Sequence, residues 1–224
     1  MKQFQILLTI GLAVVLCCQV YAAEQSGPWA RLGEVEKRRL IDCGVDSSAL
    51  AELLALDQQA FDQDFDGGWR PVADQEGCQQ AAADLIRIWR TQSANVESPG
   101  MLYWHEGQMH AWTGDRERAV NVFRKARSSS AEWNLYVDAT IAFLQRDRAA
   151  LESARNDLAE LRPSAELMAS RRRFLEENPD LEMPEGFVEQ PMNLNVVDRL
   201  LSCFASDYGE AYAGSCDREH RGRD

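Results

Sequence analysis

Residues 99–130 read PGMLYWHEGQMHAWTGDRERAVNVFRKARSSS, and two helices with a tight corner are written into them. Ser98-Pro99-Gly100 starts the first, since a proline without an N–H fits an opening helical turn. Gly114 separates it from a second helix over about 115–128, in which Ala119, Val122, Phe123 and Ala126 recur at three and four. A connection that short forces the two helices to lie antiparallel. The same grammar continues outward. Helices are expected at about 131–145 and 147–161, separated by Ser128-Ser129-Ser130 and by the Arg146-Asp147 corner. Nowhere does a period-2 run of β-branched residues persist, so the chain reads as all-α.

Displacing this stretch against itself by 32 residues gives an ungapped internal match. Gly107 falls on Ala139, Asp115-Arg116 on Asp147-Arg148, Ala119 on Leu151, Val122 on Ala154 and Ala126 on Leu158. A period in the low thirties points to stacked helical hairpins, each hiding its apolar face against the next. Tyr103, Gly107, His110, Gly114, Ala119, Phe123 and Ala126 resemble one tetratricopeptide repeat, from Tyr103 to Ser130. In that pattern Gly107 and Ala119 allow close approach of the helices, while Tyr103 and Phe123 fill the gaps around the crossing. Ser130-Ala131 stands where the family often places a closing proline, and Arg155 stands where the second hairpin would repeat the aromatic of Phe123. The resemblance implies a short, degenerate, tetratricopeptide-like array of stacked antiparallel hairpins.

Upstream, a short helix is expected around Glu34 to Ile41. Ser47 or Ser48 then caps a segment carrying Leu50, Leu53, Leu54 and Phe61, which Asp66-Gly67-Gly68 stops. A loop through Pro71 leads to a helix from about Cys78 to Arg90, with Ala81, Ala82, Leu85, Ile86 and Trp89 buried. Downstream, a helix over Pro163 to Glu177 and a proline- and acid-containing segment over Asn178 to Pro191 precede a last helix. That helix starts at Asn193 or Asn195 and carries Val196, Val197, Leu200, Leu201 and Phe204 to cover the open end of the stack. The expected organisation is residues 1–22 as an export signal, 23–46 as an N-terminal segment, 47–162 as the hairpin array, 163–216 as a helical cap and 217–224 as a tail.

The export signal rests on Lys2, an apolar run from Ile6 to Cys18 interrupted by Thr9 and Gly11, and small residues at Ala22 and Ala23. Thirteen residues are too few to cross a bilayer, which takes roughly 20. Cleavage after Ala22 or Ala23 sends a bacterial protein to the periplasm or outside the cell, its only membrane contact being the signal. Cys17 and Cys18 leave with it, and four cysteines remain: Cys43, Cys78, Cys203 and Cys216. Four cysteines allow three pairings in an oxidising compartment. Cys43 with Cys78 and Cys203 with Cys216 keeps each bond inside one local helix–loop unit and stabilises by about 3 to 4 kcal/mol.

With 45% hydrophobic and 27% charged residues in 224, the composition is that of one globular domain, not a disordered chain. The balance of 36 acids against 24 bases gives a formal charge of −12, which argues against a nucleic-acid partner. Removing residues 1–22 takes one lysine and no acid, which leaves −13.

Trp104, Gln108 and Trp112 fall at i, i+4 and i+8, so they share one stripe. The family resemblance implies that this stripe lines a concave groove, where two indoles around an amide suit an extended peptide. Tyr136 and Thr140 occupy the equivalent places in the next hairpin. The competing expectation is that a tryptophan stripe at helical spacing is core, packed under the Cys78 helix. His105 and His110 stand at i and i+5, about 140° apart on a helix, which defeats a zinc-protease reading; His220 lies in the tail. Asp62, Asp64, Asp66 and Gly67 open a calcium loop, a weak metal candidate, because Ala73 stands where the bidentate Glu belongs and Arg70 adds a positive charge. Glu97-Ser98, Gly107-Gln108-Met109 and Ala211-Tyr212-Ala213-Gly214 resemble, in order, motifs of lytic transglycosylases, whose single Glu acts as acid and base on cell-wall glycan. Glu97 precedes a helix where those enzymes have it inside one. The expectation is therefore a non-catalytic, cofactor-free module binding a protein or peptide. A peptidoglycan enzyme and a calcium-stabilised helical protein are the alternatives.

Overall fold

The computed structural model describes residues 27–216 except Glu182, Pro184 and Glu185. The export signal and the tail with His220 lie outside the described residues. All regular structure among the described residues is helical, and the chain forms two compact units that divide between Glu97 and Ser98. The expected array over 47–162 spans this division. The break falls at Ser98-Pro99, a helix start that also proves to be a boundary between cores.

The first unit is built around a buried helix. It holds α1 (Glu34–Asp42), α2 (Ser47–Ala55), α3 (Arg70–Ala73) and α4 (Gln79–Gln92). Small Ala81, Ala82 and Ala83 let neighbours approach α4, while Leu85, Ile86, Ile88 and Trp89 fill the space around it. Trp89 stacks on Phe61 with ring centroids 4.6 Å apart and donates its indole N–H to the Leu53 carbonyl at 3.0 Å. Phe61 reaches this position from a wide helical turn over Gln59–Gln63, where the sequence pattern had suggested an uninterrupted helix. The cap of α2 is Asp46, whose carboxylate accepts from the N–H groups of Ser48 and Ala49 at 2.9 Å, and not Ser47 or Ser48. Ion pairs Arg39–Asp84 and Arg87–Glu36 join α1 to α4. The Cys43–Cys78 disulfide joins the same two elements at their ends, with Cα atoms 5.8 Å apart.

The second unit holds two hairpins and a C-terminal cover. α5 (Pro99–Trp112) pairs with α6 (Arg116–Phe123), and α7 (Ala131–Leu144) pairs with α8 (Arg148–Glu160). α9 (Ala165–Glu177), α10 (Leu194–Ser202) and α11 (Tyr208–Ala213) follow. The two hairpin corners are built alike. Gly114 and Arg146 both take left-handed backbone, with φ of +79° and +58°. The next residue caps the returning helix in each case: Asp115 accepts from Arg118 N–H at 3.1 Å, and Asp147 from Ala150 N–H at 3.0 Å. The internal match at 32 residues thus includes a repeated corner. On α5, Gly107 lies against Phe123 so closely that a Cβ there would stand 2.7 Å from the ring. The Cys203–Cys216 disulfide closes the loop that contains α11, with Cα atoms 5.9 Å apart. Both pairings are the local ones, and both are compatible with an oxidising compartment outside the cytosol.

Candidate functional site

The inner face of the two hairpins carries the aromatic stripe, and the chain's own C-terminal helices cover it. Trp104 is buried at 3% exposure. Its ring centroid lies 4.6 Å from Phe123, 4.9 Å from Trp133 and 4.6 Å from Tyr136. Gln108, Tyr136 and Thr140 are buried as well, and the Thr140 hydroxyl donates to the Tyr136 carbonyl at 3.0 Å. Trp112 differs, remaining 43% exposed. Its ring meets Tyr208 edge-on at 5.9 Å and Tyr212 at 5.8 Å. The expected open groove is therefore corrected for four of its five residues. Trp104 belongs to the core cluster that the two hairpins and the C-terminal helices form. The rest of the face is closed because α10 packs on α7 and α8 while α11 packs on α5.

Sequence inspection had not singled out what holds this cover down. Gly209 lies flat against Trp112, where a Cβ would come within 2.9 Å of the indole nitrogen. Arg146 leaves its corner to donate to the carbonyls of Phe204 and Ser206, the latter at 2.6 Å, and sits over the Phe143 ring at 5.0 Å. Arg199 donates to the Tyr212 carbonyl at 3.1 Å and thereby ties α10 to α11. The Tyr208 and Tyr212 rings stand 5.6 Å apart, four residues along the same helix. That i, i+4 aromatic pair was the available signal, and it matches the i, i+4 spacing of Gln108 and Trp112. Burial pushes the Tyr208 and Tyr136 phenols above their ordinary range, so both stay neutral. The Arg146 guanidinium is held below its ordinary value by burial and by Arg116.

The acidic loop of the first unit is organised from within. The Asp62 side chain is fully buried, accepting the Trp69 indole N–H at 3.1 Å on one oxygen and the Gln63 amide at 2.6 Å on the other. Arg70 donates to the carbonyls of Asp62 and Asp64 and lies 4.5 Å from the centre of the Trp69 ring. A guanidinium thus stands where a calcium loop would gather its cation. The calcium reading is corrected on that ground: the Asp62 carboxylate is spent on an indole and an amide. Among the described residues no group of three His, Cys, Asp or Glu side chains is gathered as metal ligands would be. His110 is buried, His105 is partly exposed, and Glu97 is exposed on the loop between α4 and α5. No helix of the described residues is long and apolar enough to cross a membrane.

Compared with known protein families, with curated proteins and with solved structures, the chain matches none of them.

Proposed function

We propose that this is an exported, non-catalytic helical interaction module, tetratricopeptide-like in its two hairpins, that engages a partner protein or peptide at the edge of its inner face. The observation that carries this reading is Trp112. A tryptophan left 43% exposed on an aromatic face is a large apolar surface that folding has not used up. The cover over the rest of the face supports the same chemistry. The segment seated there presents Tyr208 and Tyr212 around Gly209, and it meets α5 through rings and through a glycine that lets backbone approach an indole. A partner that adds an aromatic side chain beside Trp112 and Tyr212 extends contacts of a kind the face already makes.

Two disulfides, an export-type N-terminus and the acidic charge of −12 fit an interaction module outside the cytosol. Against the enzyme alternative stands Glu97, which is exposed on its loop and lacks the enclosure that tunes an acid–base carboxylate.

The test places a photo-crosslinking amino acid at position 112 of the full chain, in cells, with the same probe at exposed Glu160 as control. A discrete adduct at 112 and none at 160 is expected. Equal adducts at both positions, or none at either, sink the proposal. Turnover of purified peptidoglycan that disappears with Glu97→Gln would replace it with the enzyme reading.

A further inference from the structure

The second unit contains a cavity far along the chain from the aromatic face, and its chemistry is different. The cavity, about 330 Å³, is lined by Leu167 and Arg171 of α9, by Phe187 and Gln190 of the connecting segment, and by Met192 and Asn193 at the start of α10. This volume lies at the small end of ligand sites. Arg171 is nine-tenths buried, and among the described residues no carboxylate pairs with it. Its Nη1 donates to the carbonyls of Phe187 at 3.0 Å, Val188 at 3.4 Å and Gln190 at 2.6 Å, and its Cζ lies 5.2 Å from the centre of the Phe187 ring. Carbonyl dipoles orient the guanidinium but do not neutralise its charge, and no described carboxylate does so. Its Nε and Nη2 donors are not used by any described residue.

A second electropositive feature converges on the same space. α10 begins here, and Asn193 stands at its N-cap position with φ of 63° and no side-chain cap hydrogen bond. An asparagine is among the best capping residues, yet here its amide is left over, and the first N–H groups of the helix go without it. Helix N-termini attract anions. Two described carboxylates nearby are otherwise engaged: Glu132 accepts from the Met192 N–H, and Glu189 faces Arg172 at 3.7 Å.

We infer that this cavity binds the C-terminal end of a peptide whose last side chain is apolar. The carboxylate pairs with Arg171 at the N-terminus of α10, the side chain enters among Leu167, Phe187 and Met192, and the Gln190 and Asn193 amides serve the peptide backbone. A fatty acid would satisfy the charge and the apolar wall, but it would leave both amides without partners. The site is separate from the aromatic face, and either reading can fail without the other.

The test is a binding titration of the full chain lacking residues 1–22, using fluorescein-labelled Gly-Ala-Leu with a free carboxylate. The same tripeptide as its C-terminal amide, and decanoate as competitor, are the comparison arms. Saturable binding of the free acid, weaker by about tenfold or more for the amide, is the expected result, because charge-assisted bonds are worth that much. Leu167→Trp fills the cavity and abolishes binding, with the fold checked by circular dichroism. Asn195→Asp, an exposed change that puts a negative charge in the first turn of α10, weakens binding about fivefold or more. The inference is overturned by equal binding of acid and amide, by no saturation up to about 1 mM, or by Asn195→Asp having no effect. Decanoate binding without peptide binding also overturns it, and would identify a site for apolar acids.

Discussion

Three glycines show how differently one missing Cβ matters. At Gly68 a Cβ would stand 1.8 Å from the Phe61 carbonyl oxygen, on backbone with φ of +58°. Nothing there can move except the turn that buries Asp62, so Gly68→Ala should destabilise the first unit by more than about 3 kcal/mol. At Gly107 the clash is with the buried Phe123 ring, and the backbone is ordinary helix. Alanine gains about 1 kcal/mol of helix propensity and loses about 1–3 kcal/mol to overpacking, so Gly107→Ala should cost between about 0 and 2 kcal/mol net. At Gly114 there is open space but φ of +79°, and alanine should cost about 1 kcal/mol through backbone alone. Amide-exchange protection in the unit that contains each glycine would rank them. A Gly107→Ala chain more stable than wild type by the full propensity gain of about 1 kcal/mol would mean that the Phe123 ring is not fixed by its surroundings. The need for glycine at 107 was legible in the sequence, because the residues that pack across a short hairpin lie close in sequence. The need at 68 was not, because it comes from a carbonyl that the wide turn over Gln59–Gln63 carries back onto the loop.

Between elements, α1 is held on α4 by Arg39–Asp84, and that pair carries a pH signature. Burial of Asp84 raises its carboxyl above the ordinary range, outweighing the pull of Arg39 in the other direction. A carboxyl that binds its proton more tightly in the folded state than in the unfolded one makes the native state lose stability as pH rises. The loss begins near the unfolded value of about 3.9 and is complete once pH passes the raised folded value. Below that window the pair contributes no penalty. The stability of wild type relative to Asp84→Asn, whose side chain does not titrate, should therefore fall as pH rises through and above about 3.9. Urea unfolding across that range, followed by a probe in the first unit, checks it. A margin that grows with pH would show that Arg39 dominates after all, and a constant one that Arg39 and burial cancel. Helices as elements were mostly readable, since α4, α5, α7 and α8 each carry a long apolar period. α3 and α11 were not, having four and six residues, too few for a period to declare itself.

At the scale of the whole chain, the burial of the stripe and the division at Glu97 share one reason for escaping sequence reading. The spacing of Trp104, Gln108 and Trp112 reveals a common face, but what covers that face is decided by Tyr208, Gly209 and Tyr212, nearly a hundred positions away. Likewise Ser98-Pro99 announces a helix but says nothing of which core each side joins. The disulfides make this division measurable, because each bond lies inside one unit. In the chain-entropy account, the separation of 35 residues between Cys43 and Cys78 is worth about 4 kcal/mol, and that of 13 between Cys203 and Cys216 about 3 kcal/mol. Replacing Cys43 and Cys78 together by alanine should then strip amide protection from α1 and α4 while leaving α7 and α8 protected as in wild type. Replacing Cys203 and Cys216 should do the reverse, with α10 and α11 losing protection first, since the loop it closes contains α11. Hydrogen exchange resolved by peptide reads both variants in one experiment. If either variant loosened all the helices alike, the chain would unfold as one cooperative body, and the two units would be a feature of geometry but not of stability.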